Sequence, residues 1–99
     1  MNINKLMKQA QQMQERMQRE LQALEVEATA GGGMVTVRMN GHKELLGVTI
    51  DPEVIDPQDP AMLQDLIVAA VSEAARKVEE AMQEKMGGLA GGLGLPGMF

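Results

Sequence analysis

Lys5, Lys8, Arg16 and Arg19 are the residues best equipped for chemistry in this chain, because amines and guanidinium groups on one helical face suit a row of phosphates. At the rotation of an α-helix they fall at roughly 140°, 80°, 160° and 100°, with Gln12 at about 120° in their midst. Every base of the first twenty residues therefore shares one arc, and the Gln12 amide adds a hydrogen-bonding group suited to phosphate or base edges. The plainer reading of the same arc is a solvated helix face, since Glu15 and Glu20 flank it.

Other chemistries lack parts. The 99 residues contain no Cys, Tyr or Trp, one His and one Ser, so disulfides, thiolate nucleophiles and triad-like constellations are excluded. His42 follows a turn signal and reads as an exposed strand residue, not a general base. The acidic stretch Asp51, Glu53, Asp56, Asp59 and Asp65 lacks the glycine and terminal glutamate of a calcium loop and is stiffened by prolines. Gly31-Gly32-Gly33 precedes a strand and has no following Lys-Ser/Thr, so it is a turn and not a phosphate cradle. No enzyme activity, metal or cofactor is expected. The net charge of −5 argues against a polyanion partner until it is divided along the chain: residues 1–20 carry +2, residues 48–65 carry −5. An anion site has to come from the first segment.

The elements that would hold these residues can be read in turn. From Ile3 to about Leu24 strong helix formers run without Gly or Pro. Ile3, Leu6, Ala10, Met13, Met17, Leu21 and Leu24 form an apolar seam about 145° away from the basic arc. Such a helix spans roughly 33 Å, against a radius of gyration of about 13 Å for a compact chain of this size. It should project, and its seam wants a second helix, most simply that of a second copy. The expected dimer seam is Leu6, Ala10, Met13, Met17, Leu21 and Leu24.

Alternation over residues 25–30, 35–39 and 42–50 then predicts a two- or three-stranded antiparallel meander, with Asn40-Gly41 as a two-residue type I′ turn between the last two segments. That turn sets Met39 opposite His42, Val37 opposite Glu44 and Val35 opposite Leu46, and puts Arg38 opposite Lys43. Val35, Val37, Leu46, Val48 and Ile50 would share the core face; Glu44 would fall on it too, unless it lies beyond the covered area or a bulge shifts the register. Three prolines make residues 51–60 a connector with one short turn near 52–55. Asp59 before Pro60 predicts a helix start, with the helix ending near Met86 at Gly87-Gly88. Its apolar middle, residues 66–71, should be its most buried part, and Glu73–Lys77 and Arg76–Glu80 should pair along it. The expected organisation is one α+β domain over residues 1–86, a long N-terminal helix, a small antiparallel β-meander and a C-terminal helix, followed by a flexible Gly/Leu-rich tail over residues 87–99.

Taken together the residues resemble the YbaB/EbfC family of nucleoid-associated DNA-binding proteins. The resemblance is carried by the Met/Gln-rich opening helix with Met13-Gln14, the Gly-rich turn before Val35-Thr36-Val37, and Asn40-Gly41. Val48-Thr49-Ile50-Asp51-Pro52, Met62-Leu63-Gln64-Asp65-Leu66, Ala69-Ala70-Val71, Glu73-Ala74, Lys85-Met86 and Leu93-Gly94-Leu95-Pro96-Gly97 follow in order. The resemblance implies a two-fold, tweezer-like homodimer with projecting helical arms, association with chromosomal DNA in the cytoplasm, and a link to recombination or replication proteins. It supplies no catalytic residue and no fixed DNA-contact motif, so the DNA-binding candidates Lys5, Lys8, Gln12, Arg16 and Arg19 rest on the helical arc.

The expectation is a non-catalytic homodimer that binds double-stranded DNA in the nucleoid and influences chromosome organisation, gene expression or recombination. A protein-interaction adaptor, gripping a client with the Met-rich seam or the apolar tail, is the first alternative. A membrane-surface helix is the weakest, because the basic helix has no Trp or Phe anchor; no membrane partner is expected.

Overall fold

Unbroken helix propensity produces α1, Ile3–Ala23, whose first turn is capped by the Asn2 side chain accepting from Lys5 N at 3.2 Å. The computed structural model describes residues 2–92, and side-chain environments through residue 85. Three strands follow, β1 (Glu25–Ala30), β2 (Val35–Asn40) and β3 (Leu45–Ile50), in an antiparallel meander of order β1-β2-β3. Gly31, Gly32 and Gly33 all have positive φ, the left-handed backbone that makes a glycine run necessary at this reversal.

The expected two-residue turn at Asn40-Gly41 does not form, and the register derived from it is wrong. Val35 pairs with Ile50, Val37 with Val48, Arg38 with Gly47 and Met39 with Leu45, with a shift between Arg38 and Met39. The loop is longer because the Asn40 side chain, buried to 1% exposure, organises it: Oδ1 accepts from His42 N at 2.9 Å and from Glu44 N at 3.1 Å. Glu44 thus leaves the sheet, and the bulge that would remove it from the core face is present. Arg38 opposes Gly47 instead of Lys43, which lies in the loop with φ 62°.

The connector holds a 3-10 turn, Pro52–Val54, started by Asp51 accepting from Glu53 N at 2.9 Å. Val54 is buried there. Helix α2, Pro60–Gly92, starts as expected, with the Asp59 carboxylate accepting from Met62 N at 3.3 Å. It does not stop at Met86. A glycine costs a helix interior about 1 kcal/mol against alanine but does not forbid it, and α2 passes through Gly87-Gly88. The first part of the expected tail is therefore helical, and residues 93–99 lie outside the described residues.

The core joins one face of the sheet to one face of α2. Ala28, Val35, Val37 and Met39 meet Ala70, Ala74 and Val78, all at most 2% exposed. Alanines every four residues bring the α2 backbone close to the strands, and each fully buried valine contributes about 1.5–3 kcal/mol. The apolar middle of α2 is buried on this side only: Val68 stays 65% exposed. Because α2 packs on β1 and β2, the β3 residues Leu45, Leu46 and Val48 remain 44–48% exposed at the edge of the sheet that the helix does not reach.

Candidate nucleic-acid interface

α1 leaves the body as a rod. None of its residues is buried, and the chain measures 69 × 30 × 15 Å with a radius of gyration of 19.1 Å, well above the roughly 13 Å of a compact domain. Lys5, Lys8, Gln12, Arg16 and Arg19 are all exposed along it. With a rise of ~1.5 Å per residue, Lys5 and Arg19 lie about 21 Å apart along the axis. The seam is uncovered as well: Ile3, Leu6, Met13 and Met17 are 51–67% exposed, Ala10 is exposed, and only Leu21 and Leu24 are half-buried. Met7, 57% exposed and beside the seam on the wheel, widens it.

The electrostatics divide sharply between arm and body. In the body, Arg38 pairs with Glu25 at 3.0 Å, Lys43 with Glu79 at 2.7 Å, and Arg76 with both Glu73 and Glu80. The expected Glu73–Lys77 pair is replaced, because Arg76 takes Glu73 and Lys77 instead donates to the Glu27 carbonyl at 2.7 Å. These contacts tune the groups involved. Hydrogen bonding and charge from Arg76 hold the Glu73 carboxyl below its usual range, and Glu73 and Glu80 push the Arg76 guanidinium up. Lys43 likewise lowers the Glu79 carboxyl.

On the arm, Arg16 makes one loose pair, 3.9 Å to Glu20, and Lys5, Lys8 and Arg19 make none among the described residues. Exposed pairs of this kind are worth about 0–1 kcal/mol, so a phosphate can displace Glu20. Among the described residues the cations without an acidic partner are thus mostly on α1, with Lys77, which is held by a carbonyl, and Lys85 on α2 as the exceptions. An acidic chain can present a locally cationic ridge in this way, by holding Arg38, Lys43 and Arg76 of the body in ion pairs.

Two residues that matter for the arm were not singled out as functional by sequence reasoning. Asn40 and Gly41 read as a turn signal, whereas Gly41 is buried and donates its N–H to the Leu21 carbonyl of α1 at 2.8 Å. The visible sign was the dipeptide itself, but its use depends on a partner twenty residues away. Among the described residues no cluster of His, Asp and Glu has the geometry of a metal site, and no helix is long and apolar enough to cross a membrane.

Known proteins share both the sequence and the fold. The profile of the YbaB/EbfC DNA-binding family matches residues 1–93. A nucleoid-associated protein of Koribacter versatilis is 52% identical over 97% of this chain and 95% of its own length. One from Clostridium novyi is 54% identical, covering 100% and 90%, and one from Acetivibrio thermocellus is 55% identical, covering 99% and 90%. The crystal structure of an uncharacterized protein from Helicobacter pylori, 22% identical, superposes with a TM-score of 0.72 over 88% of this chain and 91% of that one, a likeness of fold. Spanning the α1 arm, the meander and the whole of α2, the match makes this chain a member of the YbaB/EbfC DNA-binding family.

Proposed function

We propose that the chain is a nucleoid-associated protein of the cytoplasm that binds double-stranded DNA as a homodimer, without catalysis, through Lys5, Lys8, Gln12, Arg16 and Arg19 on its projecting α1 helices. The observation that carries this reading is the contrast between a body in which Arg38, Lys43 and Arg76 are held in ion pairs and an arm on which Lys5, Lys8 and Arg19 make none among the described residues. Lysine and arginine on a straight rod neutralise phosphates without reading sequence, and DNA binding of that kind shapes chromosome organisation and, through it, gene expression and recombination. Recombination or replication proteins are the partners that such a DNA-bound dimer would meet.

Homodimer formation is supported by unpartnered apolar surface. The seam Leu6, Ala10, Met13, Met17, Leu21 and Leu24 lies on the side of α1 away from the bases, so covering it with a second copy leaves the cationic arc free. Leu45, Leu46 and Val48 extend the uncovered surface onto the body. Two protomers then offer eight cations. The test replaces Lys5, Lys8, Arg16 and Arg19 together by Gln: the low-salt gel shift of a duplex disappears while sedimentation still reports a dimer. An undiminished shift overturns the site.

The exposed methionines Met7, Met13 and Met17 favour one second reading, an adaptor whose flexible thioether surface grips a client protein. Under that reading DNA binding is incidental, and truncation after Met86 abolishes function while duplex affinity is untouched.

A further inference from the structure

Among the described residues one hydrogen bond runs from the body to α1, and it is made at the last turn of the helix. Every α1 residue is exposed except Leu21, and the Leu21 carbonyl, one of the last four that a helix leaves without an internal partner, is capped by Gly41 N. Gly41 fits there because it has no side chain: a Cβ would lie 2.5 Å from Leu21 O and 2.8 Å from Leu21 Cα. Its φ is not among the positive values, so the requirement is for space and not for a left-handed backbone.

The loop that presents Gly41 is held on both sides. Asn40 Oδ1 accepts the His42 and Glu44 amides, its Nδ2 donates to Glu44 Oε1 at 3.1 Å, and its carbonyl accepts from Lys43 N at 3.0 Å. Lys43 then ties the loop to α2 through Glu79. A continuous chain of polar contacts therefore runs from α2 through the loop to the end of α1.

We propose that Gly41, held by Asn40, is the fulcrum that fixes the direction of α1, and so is a positioning residue for the arm. Its consequence for DNA rests on the function proposed above; the geometry does not. The lever can be worked out. Taking Leu24 as the pivot, Leu21 is about 4.5 Å and Gln9 about 22 Å along the helix, a fivefold amplification. Opening the 2.5 Å contact to the 3.4 Å of ordinary packing displaces Gln9 by about 4 Å.

The absence of cysteine allows spin labels at Gln9→Cys and Ser72→Cys, both exposed, in chains diluted with excess unlabelled protein so that the distance within one chain is read. The expected result is a narrow distribution with the native loop, and in Gly41→Ala a mean shifted by up to about 4 Å at unchanged helix content. Glu44→Ala, which removes the Nδ2 partner of Asn40 at an exposed position, broadens the distribution and serves if Gly41→Ala does not fold. A broad native distribution, or an unmoved mean in folded Gly41→Ala, or an unchanged width in Glu44→Ala, overturns the fulcrum. Duplex binding separates the two ideas: Gly41→Ala lowers affinity several-fold with the salt slope kept, whereas loss of the four bases removes the slope. A displaced arm with native affinity ends the positioning role and leaves the DNA reading standing. If the native protein ignores duplex, the DNA reading fails and the distances alone judge the fulcrum.

Discussion

The salt dependence of duplex binding follows from the number of cations that the arms can offer. Each α1 carries Lys5, Lys8, Arg16 and Arg19, and the ~21 Å between the first and the last runs alongside about twelve duplex phosphates, so cations and not phosphates are limiting. If all eight cations of a dimer neutralise phosphates, log K falls with log salt at a slope of about −7; if Arg16 keeps its Glu20 partner on both arms, six remain and the slope is about −5. Between 50 and 200 mM salt the affinity should then drop roughly 10³- to 10⁴-fold. Fluorescence anisotropy with a labelled duplex reads this directly. Replacing Lys5 and Lys8 by Gln removes four cations per dimer and should flatten the slope by about 3.6, and Glu20→Gln should steepen it by releasing Arg16. A native slope shallower than about −2, or one that survives loss of the four bases, refutes the reasoning.

Other predictions concern the scaffold. Val78→Ala, at a fully buried position against Val35 and Val37, should cost about 2 kcal/mol in urea unfolding, whereas Val68→Ala at 65% exposure should cost the monomer little. Asp59→Ala removes the α2 cap and should cost about 1 kcal/mol by the same assay. Met13→Glu with Met17→Glu should leave the chain folded, both side chains being exposed, yet abolish the dimer in sedimentation. Glu79 and Glu73 have folded pKa values below the usual 4.5, so what they add to stability is complete above that pH and is lost as the pH falls through their lowered values; carboxyl NMR titrations of Lys43→Gln and Arg76→Gln should return each towards 4.5.

Much of this molecule is legible where local physics decides. α1 follows from twenty residues of strong helix formers, and the basic arc opposite an apolar seam follows from helical periodicity alone. The α2 start follows from Asp59-Pro60 for the same reason. The β2–β3 register was not legible, because Asn40-Gly41 serves two demands that the local sequence cannot reveal: the Asn40 side chain replaces strand pairing inside the loop, and Gly41 makes room for α1. Likewise, which bases are occupied depends on partners far apart, Lys43 with Glu79 and Arg38 with Glu25, so the concentration of unpaired cations on the arm emerges only from the fold. The apolar run over residues 66–71 is expected to be the most buried part of α2, but the sheet covers one side of the helix, so Val68 and Ala69 are exposed and the fully buried positions are Ala70, Ala74 and Val78.

Backbone amide NMR of the isotopically labelled protein, titrated with a short duplex, tests the cationic arm most directly. The account predicts that the largest shifts trace residues 5–19 on the side of Lys5, Lys8, Gln12, Arg16 and Arg19 and fade as salt is raised. Shifts centred on the exposed face of the sheet or on α2, with α1 silent, would contradict it.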